Sequence, residues 1–186
     1  MQKKGILAIA FLLMFTIQAI ARVPMKVTMG TVDVFRKECK TLVVFDHSNP
    51  IVKKKSGERA KDYYKGDDWL HYADFCADMN YGSGSFVKYF NKKRPTLSVG
   101  MELLEGTETP ADYSMRVIID RVKLQKVRAS YLCGRIILEN NETGEQVCIV
   151  EFDKIKGNPN PMFKFRMSTA YSYLAYHLLT LLNKNI

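Results

Sequence analysis

The chain has 186 residues, 47% hydrophobic and 25% charged, the composition of one ordinary globular domain. Its formal net charge of +9 admits an anionic partner, and equally nothing more than good solubility. Four cysteines are too few for the dense disulfide framework of a small stapled domain.

The chain opens on "MQKKGILAIAFLLMFTIQAIAR": Lys3 and Lys4, an apolar run from Ile6 to Ile17, then Ala19-Ile20-Ala21. This order of charged, apolar and small-residue segments is that of a secretory leader, 1–21, and the run is short for a bilayer span, which takes about 20 apolar residues. The first cysteine is Cys39, too far downstream for lipid attachment, so a lipoprotein is not expected. A single domain is then expected over 22–186, periplasmic or secreted. Losing Lys3 and Lys4 takes the formal charge from +9 to +7. Export argues against nucleic acid and leaves an anionic envelope surface or an acidic partner.

After Pro24, "KVTMGTVDVF" and "CKTLVVFD" read as two strands of a hairpin, with Asp33, Arg36, Lys37 and Glu38 near the bend. "HSNPIVKKKSGERAKDYYK" reads as a long basic loop with a helical turn around Glu58 to Tyr64. Asp67 and Asp68 suit a helix start. Trp69, Tyr72, Ala73, Cys76 and Met79 recur at helical spacing, and Gly82-Ser83-Gly84 predicts a break or a kink before "SFVKYFNKK" ends at Pro95. Four segments follow, "TLSVGMELLE", "DYSMRVIIDRVKL", "SYLCGRIILEN" and "EQVCIVEF", rich in β-branched and aromatic residues and separated by turn signals. They predict an antiparallel meander of four strands, Met115, Val117 and Ile119 facing inward and Gly144 taking a positive φ. "KGNPNP" is a loop. Met167, Tyr171, Leu174, Leu178 and Leu181 mark a C-terminal amphipathic helix. The expectation is α+β: a mostly antiparallel sheet of about six strands, a central helical segment, and the last helix packed on one face.

Among exported cysteines, Cys39, Cys76, Cys133 and Cys148 allow three pairings. With the hairpin turn centred at Glu142, Cys133 and Cys148 fall three residues out of register, about 10 Å along the strands, beyond the roughly 7 Å limit between bridged Cα atoms. Free thiols are expected over that bridge.

Chemical motifs are sparse. Asp46-His47-Ser48 spells a triad, yet adjacent residues of an extended chain point to opposite faces and cannot converge. A strand end is the better reading, with Asp46 and Asn49 accepting backbone N–H groups and Pro50 turning the chain. The three histidines, His47, His71 and His177, form no HxxxH or HxH pair and no CxxC is present, so no zinc site is built on local spacing and no cofactor is expected. Asp67-Asp68, Glu102-Glu105 and Glu142-Glu145 are accounted for by a helix cap, strand ends and a turn. The basic runs Lys53-Lys54-Lys55 and Lys92-Lys93-Arg94, with Arg121 to Arg128 beside them, are the candidate contacts to an anionic surface, if they share a face.

Three phrases, "TLVVFDHSN", "ADYSMRVII" and "ILENNETGEQV", together with the element order, resemble a group of secreted envelope domains. The group includes the amino-terminal domain of TolB and lipoprotein activators of peptidoglycan synthases, and the resemblance runs from Lys26 onward. It implies a non-enzymatic α+β domain that docks on other envelope proteins, here without the lipid-attachment cysteine. The alternatives are an envelope hydrolase assembled from dispersed residues around His47 or Cys76, and a small-ligand carrier. Two or more of His47, His71, Cys76 and nearby carboxylates sharing one pocket would favour the hydrolase. A large apolar cavity between helices and sheet would favour the carrier.

Overall fold

The computed structural model describes residues 24–53, 55–64, 69–106, 110–124 and 128–184. The leader expected at 1–21, Lys54, Asp67, Asp68 and Lys126 lie outside these residues.

The architecture is α+β, with eight strands among the described residues where about six were expected. In chain order they are β1 (Met25–Gly30), β2 (Lys40–Asp46), β3 (Ile51–Lys53), β4 (Glu58–Arg59), β5 (Glu102–Leu104), β6 (Tyr113–Lys123), β7 (Tyr131–Asn140) and β8 (Gln146–Lys156). The helices are α1 (Ala60–Tyr63), α2 (Trp69–Lys93) and α3 (Phe163–Lys184). The two strands beyond expectation, β3 and β4, form a small hairpin inside the segment read as loop, and α1 supplies the expected helical turn. Asn49 holds that segment as anticipated: its side-chain oxygen accepts the Lys61 N–H at 3.0 Å.

The sheet order is β1-β8-β7-β6-β2-β5, with β3 beside β6 and β4. β6, β7 and β8 form the antiparallel meander, and Met115, Val117 and Ile119 are buried as their alternation requires. Two pairings differ from expectation. β1 and β2 are not a hairpin: β1 pairs antiparallel with β8, and β2 runs parallel between β5 and β6. The segment between them is no exposed bend, because a 3-10 turn at Asp33–Arg36 buries Phe35 completely, and the Phe35 carbonyl accepts the Met101 N–H. The fourth strand of the expected meander is instead β5, on the far side of β2. The near-continuous apolar run Leu42–Phe45 suits an interior strand with neighbours on both sides better than a hairpin arm.

The second phrase of the resemblance has a structural job here. The Asp112 carboxylate accepts the Lys40 N–H at 2.8 Å, and the Asp112 N–H donates to the Lys40 carbonyl at 2.8 Å, fixing the register of β2 on β6. The turn after β7 closes with Gly144 at φ +70°, its N–H donating to the Asn140 carbonyl. Its register places Cys148 opposite Leu138 and Glu151 opposite Arg135, a two-residue shift from the expected pairing. That moves Cys148 further from Cys133, and all four cysteines are free.

α2 and α3 lie on one face of the sheet and against each other. α2 runs unbroken as one helix through Gly82-Ser83-Gly84. A Cβ on Gly82 would meet Tyr171 at 2.8 Å and Met167 at 2.9 Å, so this glycine lets α3 approach α2 closely. The buried side of α2 is Tyr72, Phe75, Met79, Phe86, Val87 and Phe90; Ala73, assigned to the stripe from spacing, is exposed. The stripe on α3 is as expected but wider, since Ala170, Ala175, Leu179 and Leu182 join Met167, Tyr171, Leu174 and Leu178, while Leu181 is only half-buried.

Candidate functional site

The Asp46-His47-Ser48 tripeptide comes apart in three directions. Asp46 is exposed at the end of β2, and the Ser48 carbonyl accepts the Tyr72 hydroxyl at 2.6 Å. His47 is buried between the sheet and both long helices. Its Nε2 lies 2.8 Å from the side-chain oxygen of Asn80, and its Nδ1 lies 2.9 Å from the Tyr171 hydroxyl. An amide oxygen only accepts, so Nε2 carries the proton and Nδ1 accepts from Tyr171. Phe45 packs against both rings, and burial pushes the His47 pKa below its ordinary value, against the pull of Asn80 and Asp46. Both ring nitrogens are thereby occupied by structural partners.

His71 has a different setting. With Asp74 and Asp78 it follows the i, i+3, i+7 stripe of α2, which places the three along one side of the helix. That side borders an open cleft of about 400 Å³, lined also by Tyr63, Tyr64, Phe75, Leu124, Phe163 and Arg166. Two carboxylates and one histidine thus share a pocket, while His47 and Cys76 do not line it. Asp78 accepts the Lys164 backbone N–H at the start of α3, which gives it a capping role, and burial raises its pKa against the charges of Lys164 and Arg166. Arg166 is almost fully buried: its Nε donates to the Ser130 hydroxyl at 3.2 Å, one terminal nitrogen donates to the carbonyls of Asn160 and Pro161, and the guanidinium covers the Phe163 ring. Among the described residues, the lining includes no serine, threonine or cysteine to serve as a nucleophile. Cys76 instead contacts the Tyr72 hydroxyl.

Sequence spacing missed one constellation. Arg121, Cys133 and Asp153, on three adjacent strands, come together where the ladders of β6, β7 and β8 are irregular. The Cys133 sulfur lies 2.9 Å from an Arg121 nitrogen and 3.4 Å from the Lys154 N–H, and Arg121 also pairs with Asp153 at 3.2 Å. Lys154 has φ +55°, a strained value for a side-chain-bearing residue. Donors aimed at sulfur favour a thiolate, but burial outweighs them and the Cys133 pKa is raised. Members 12 and 20 residues apart on separate strands leave no local signal in the sequence.

The described parts of the basic runs lie toward two ends of the sheet. Lys92 and Lys93 end α2, and Arg94 pairs with Glu102 at 3.5 Å beside the Lys40 end of β2. Lys53 and Lys55 flank the β3–β4 turn, beyond the pairing of Ile51 with Arg121 at the other end of β6. The strand length between the two ends is about 27 Å.

The sheet face away from the helices carries an ordered pattern. Ladder partners align Val44, Arg116, Ile137, Ile149 and Met29 in one row across five strands. Val44 is 47% and Met29 37% exposed at the two ends of the row, Arg116 beside Val44 is exposed, and Ile137 at the centre is buried. The neighbouring row is Asp46, Ile118, Arg135, Glu151 and Lys26, in which Arg135 pairs with Asp120 at 3.2 Å and Lys26 with Glu151 at 2.9 Å.

Neither a protein-family model nor a curated protein sequence matches the chain. Among solved structures, the fold is similar to the PelC dodecamer from Paraburkholderia phytofirmans, at 11% identity and a TM-score of 0.43, covering 82% of this chain and 95% of that one. A single-substitution variant of that dodecamer gives a TM-score of 0.40 with the same identity and coverage. Likeness at that level identifies neither a family nor a function.

Proposed function

We propose that this chain is an exported, non-catalytic envelope protein whose α+β domain docks on another envelope protein through the helix-free face of its sheet. The observation that carries the reading is the row Val44, Arg116, Ile137, Ile149 and Met29 beside a row of paired charges. An apolar strip interrupted by one exposed arginine, with ion pairs at its rim, has the make-up of a protein-binding surface, where Arg and Met are enriched. The leader-like start supports export, and the resemblance to secreted envelope domains supports docking. The histidine of the would-be triad is committed to packing, which removes the most suggestive catalytic element.

A photo-crosslinking residue placed at Val44 or Met29, with one at Tyr176 on the helical layer as control, tests this in intact envelopes. The expected result is a discrete crosslinked species from Val44 and Met29, absent from Tyr176 and lost on Arg116→Glu. The same diffuse products from all three positions would overturn it. The hydrolase reading draws its support from His71, Asp74 and Asp78 sharing a cleft, and His71→Ala abolishing a measurable hydrolysis would favour it instead. Contact of Lys92, Lys93 and Arg94, or of Lys53, Lys54 and Lys55, with an anionic surface is a subsidiary proposal. Failure to float with anionic vesicles at physiological salt would retire it.

A further inference from the structure

We propose that the cleft bordered by α1, the first half of α2 and the start of α3 binds a small organic ammonium ion. The inference goes beyond the docking reading and is independent of it, since the cleft lies in the helical layer, away from the open sheet face.

The walls are aromatic and continuous. Tyr63 meets Tyr64 edge-on at 4.8 Å between ring centroids, Tyr64 lies 5.8 Å from Phe75, and Phe75 stacks on Phe163 at 5.8 Å. Aromatic faces carry negative potential and attract a cation within about 6 Å, most strongly for alkylated ammonium groups that shed water easily. The same wall already accepts one cation, because the Arg166 guanidinium lies 5.4 Å from the Phe163 centroid.

The charges at the cleft favour the same ligand. Asp74 and Asp78 both line it, and Asp74 has no ion-pair partner among the described residues. The opposing charge of Arg166 is spread over the Asn160 and Pro161 carbonyls and the Ser130 hydroxyl that its nitrogens meet. Lys164 does not line the cleft; its ammonium sits over Tyr81 at 5.9 Å and Phe165 at 5.3 Å. An anion would meet two carboxylates, and a neutral apolar ligand would desolvate them without return. A compact ammonium ion gains contact with the aromatic wall and a carboxylate, and about 400 Å³ is ample room for it.

Calorimetric titration of the leader-less protein with choline chloride and with 3,3-dimethyl-1-butanol, the uncharged isostere, tests the assignment. Choline is expected to saturate a single site, with the isostere weaker by about tenfold or more. Asp74→Asn and Tyr63→Ala, both at exposed positions, are each expected to weaken choline about fivefold or more with the thermal midpoint unchanged. No saturation by about 10 mM choline, equal affinity for the isostere, or indifference to both substitutions would overturn the proposal.

Discussion

At the scale of single residues, the chemistry of this protein is mostly the chemistry of burial. His47 is neutral, flanked by Asn80 and Tyr171, with a pKa held below that of the unfolded chain. Between the two values the unfolded state binds more protons, so stability falls as pH drops below about 6.5. His177, also lowered by burial, acts with the same sign. Urea unfolding at pH 7.5 and 5.0 is expected to show a loss at the lower pH, and His47→Gln to flatten that slope without abolishing it. Asp112 makes the opposite kind of contribution, from an exposed position, through its paired bonds to Lys40. Asp112→Ala is expected to cost about 1 kcal/mol, since a backbone N–H at the start of β2 loses a charged acceptor. The turn role of Gly144 was legible in the sequence because it acts within a few residues of chain, whereas Asn49, read as a turn residue, accepts from Lys61 well downstream. The partners of His47 were not legible, lying 33 and 124 residues away.

At the scale of elements, the glycines of α2 separate two roles that spacing alone confuses. Gly82 faces α3 with no space for a methyl group, whereas a Cβ on Gly84 would come no closer than 3.6 Å to Glu105. Gly82→Ala is expected to destabilise by about 2 kcal/mol through overpacking. Gly84→Ala is expected to be neutral or to stabilise by up to about 1 kcal/mol, because alanine is the better helix former. Thermal melts of the two variants side by side check the contrast. Helical periodicity revealed that α2 and α3 exist and most of the apolar face of α3, because 3.6-residue repetition is a local property. It misplaced part of the α2 face because Phe75, not Ala73, points at the core, and both fit a three-to-four spacing. The alternation of β6 was read correctly for the same local reason. The neighbours of β1, β2 and β5 were not, since strand pairing between distant segments has no periodic signature.

At the scale of the whole molecule, the helices shield one face of the sheet and leave the other to the row that runs from Val44 to Met29. The sequence disclosed the class of fold and the number of layers; the row that carries Arg116 appears only once five strands are put in order. The cysteines give a whole-chain test, because Cys133 and Cys148 sit on adjacent strands yet far out of register. Alkylation of the denatured, unreduced protein is expected to modify all four thiols, with no gain after reduction, as read by intact mass. The placement of β1 against β8 has a further consequence. Among the described strands, the first in chain order completes its ladder with the last, so a chain cut before β8 leaves β1 without its partner. Pairing of β1 must therefore wait until β8 has emerged, and such distant pairing makes for slow assembly.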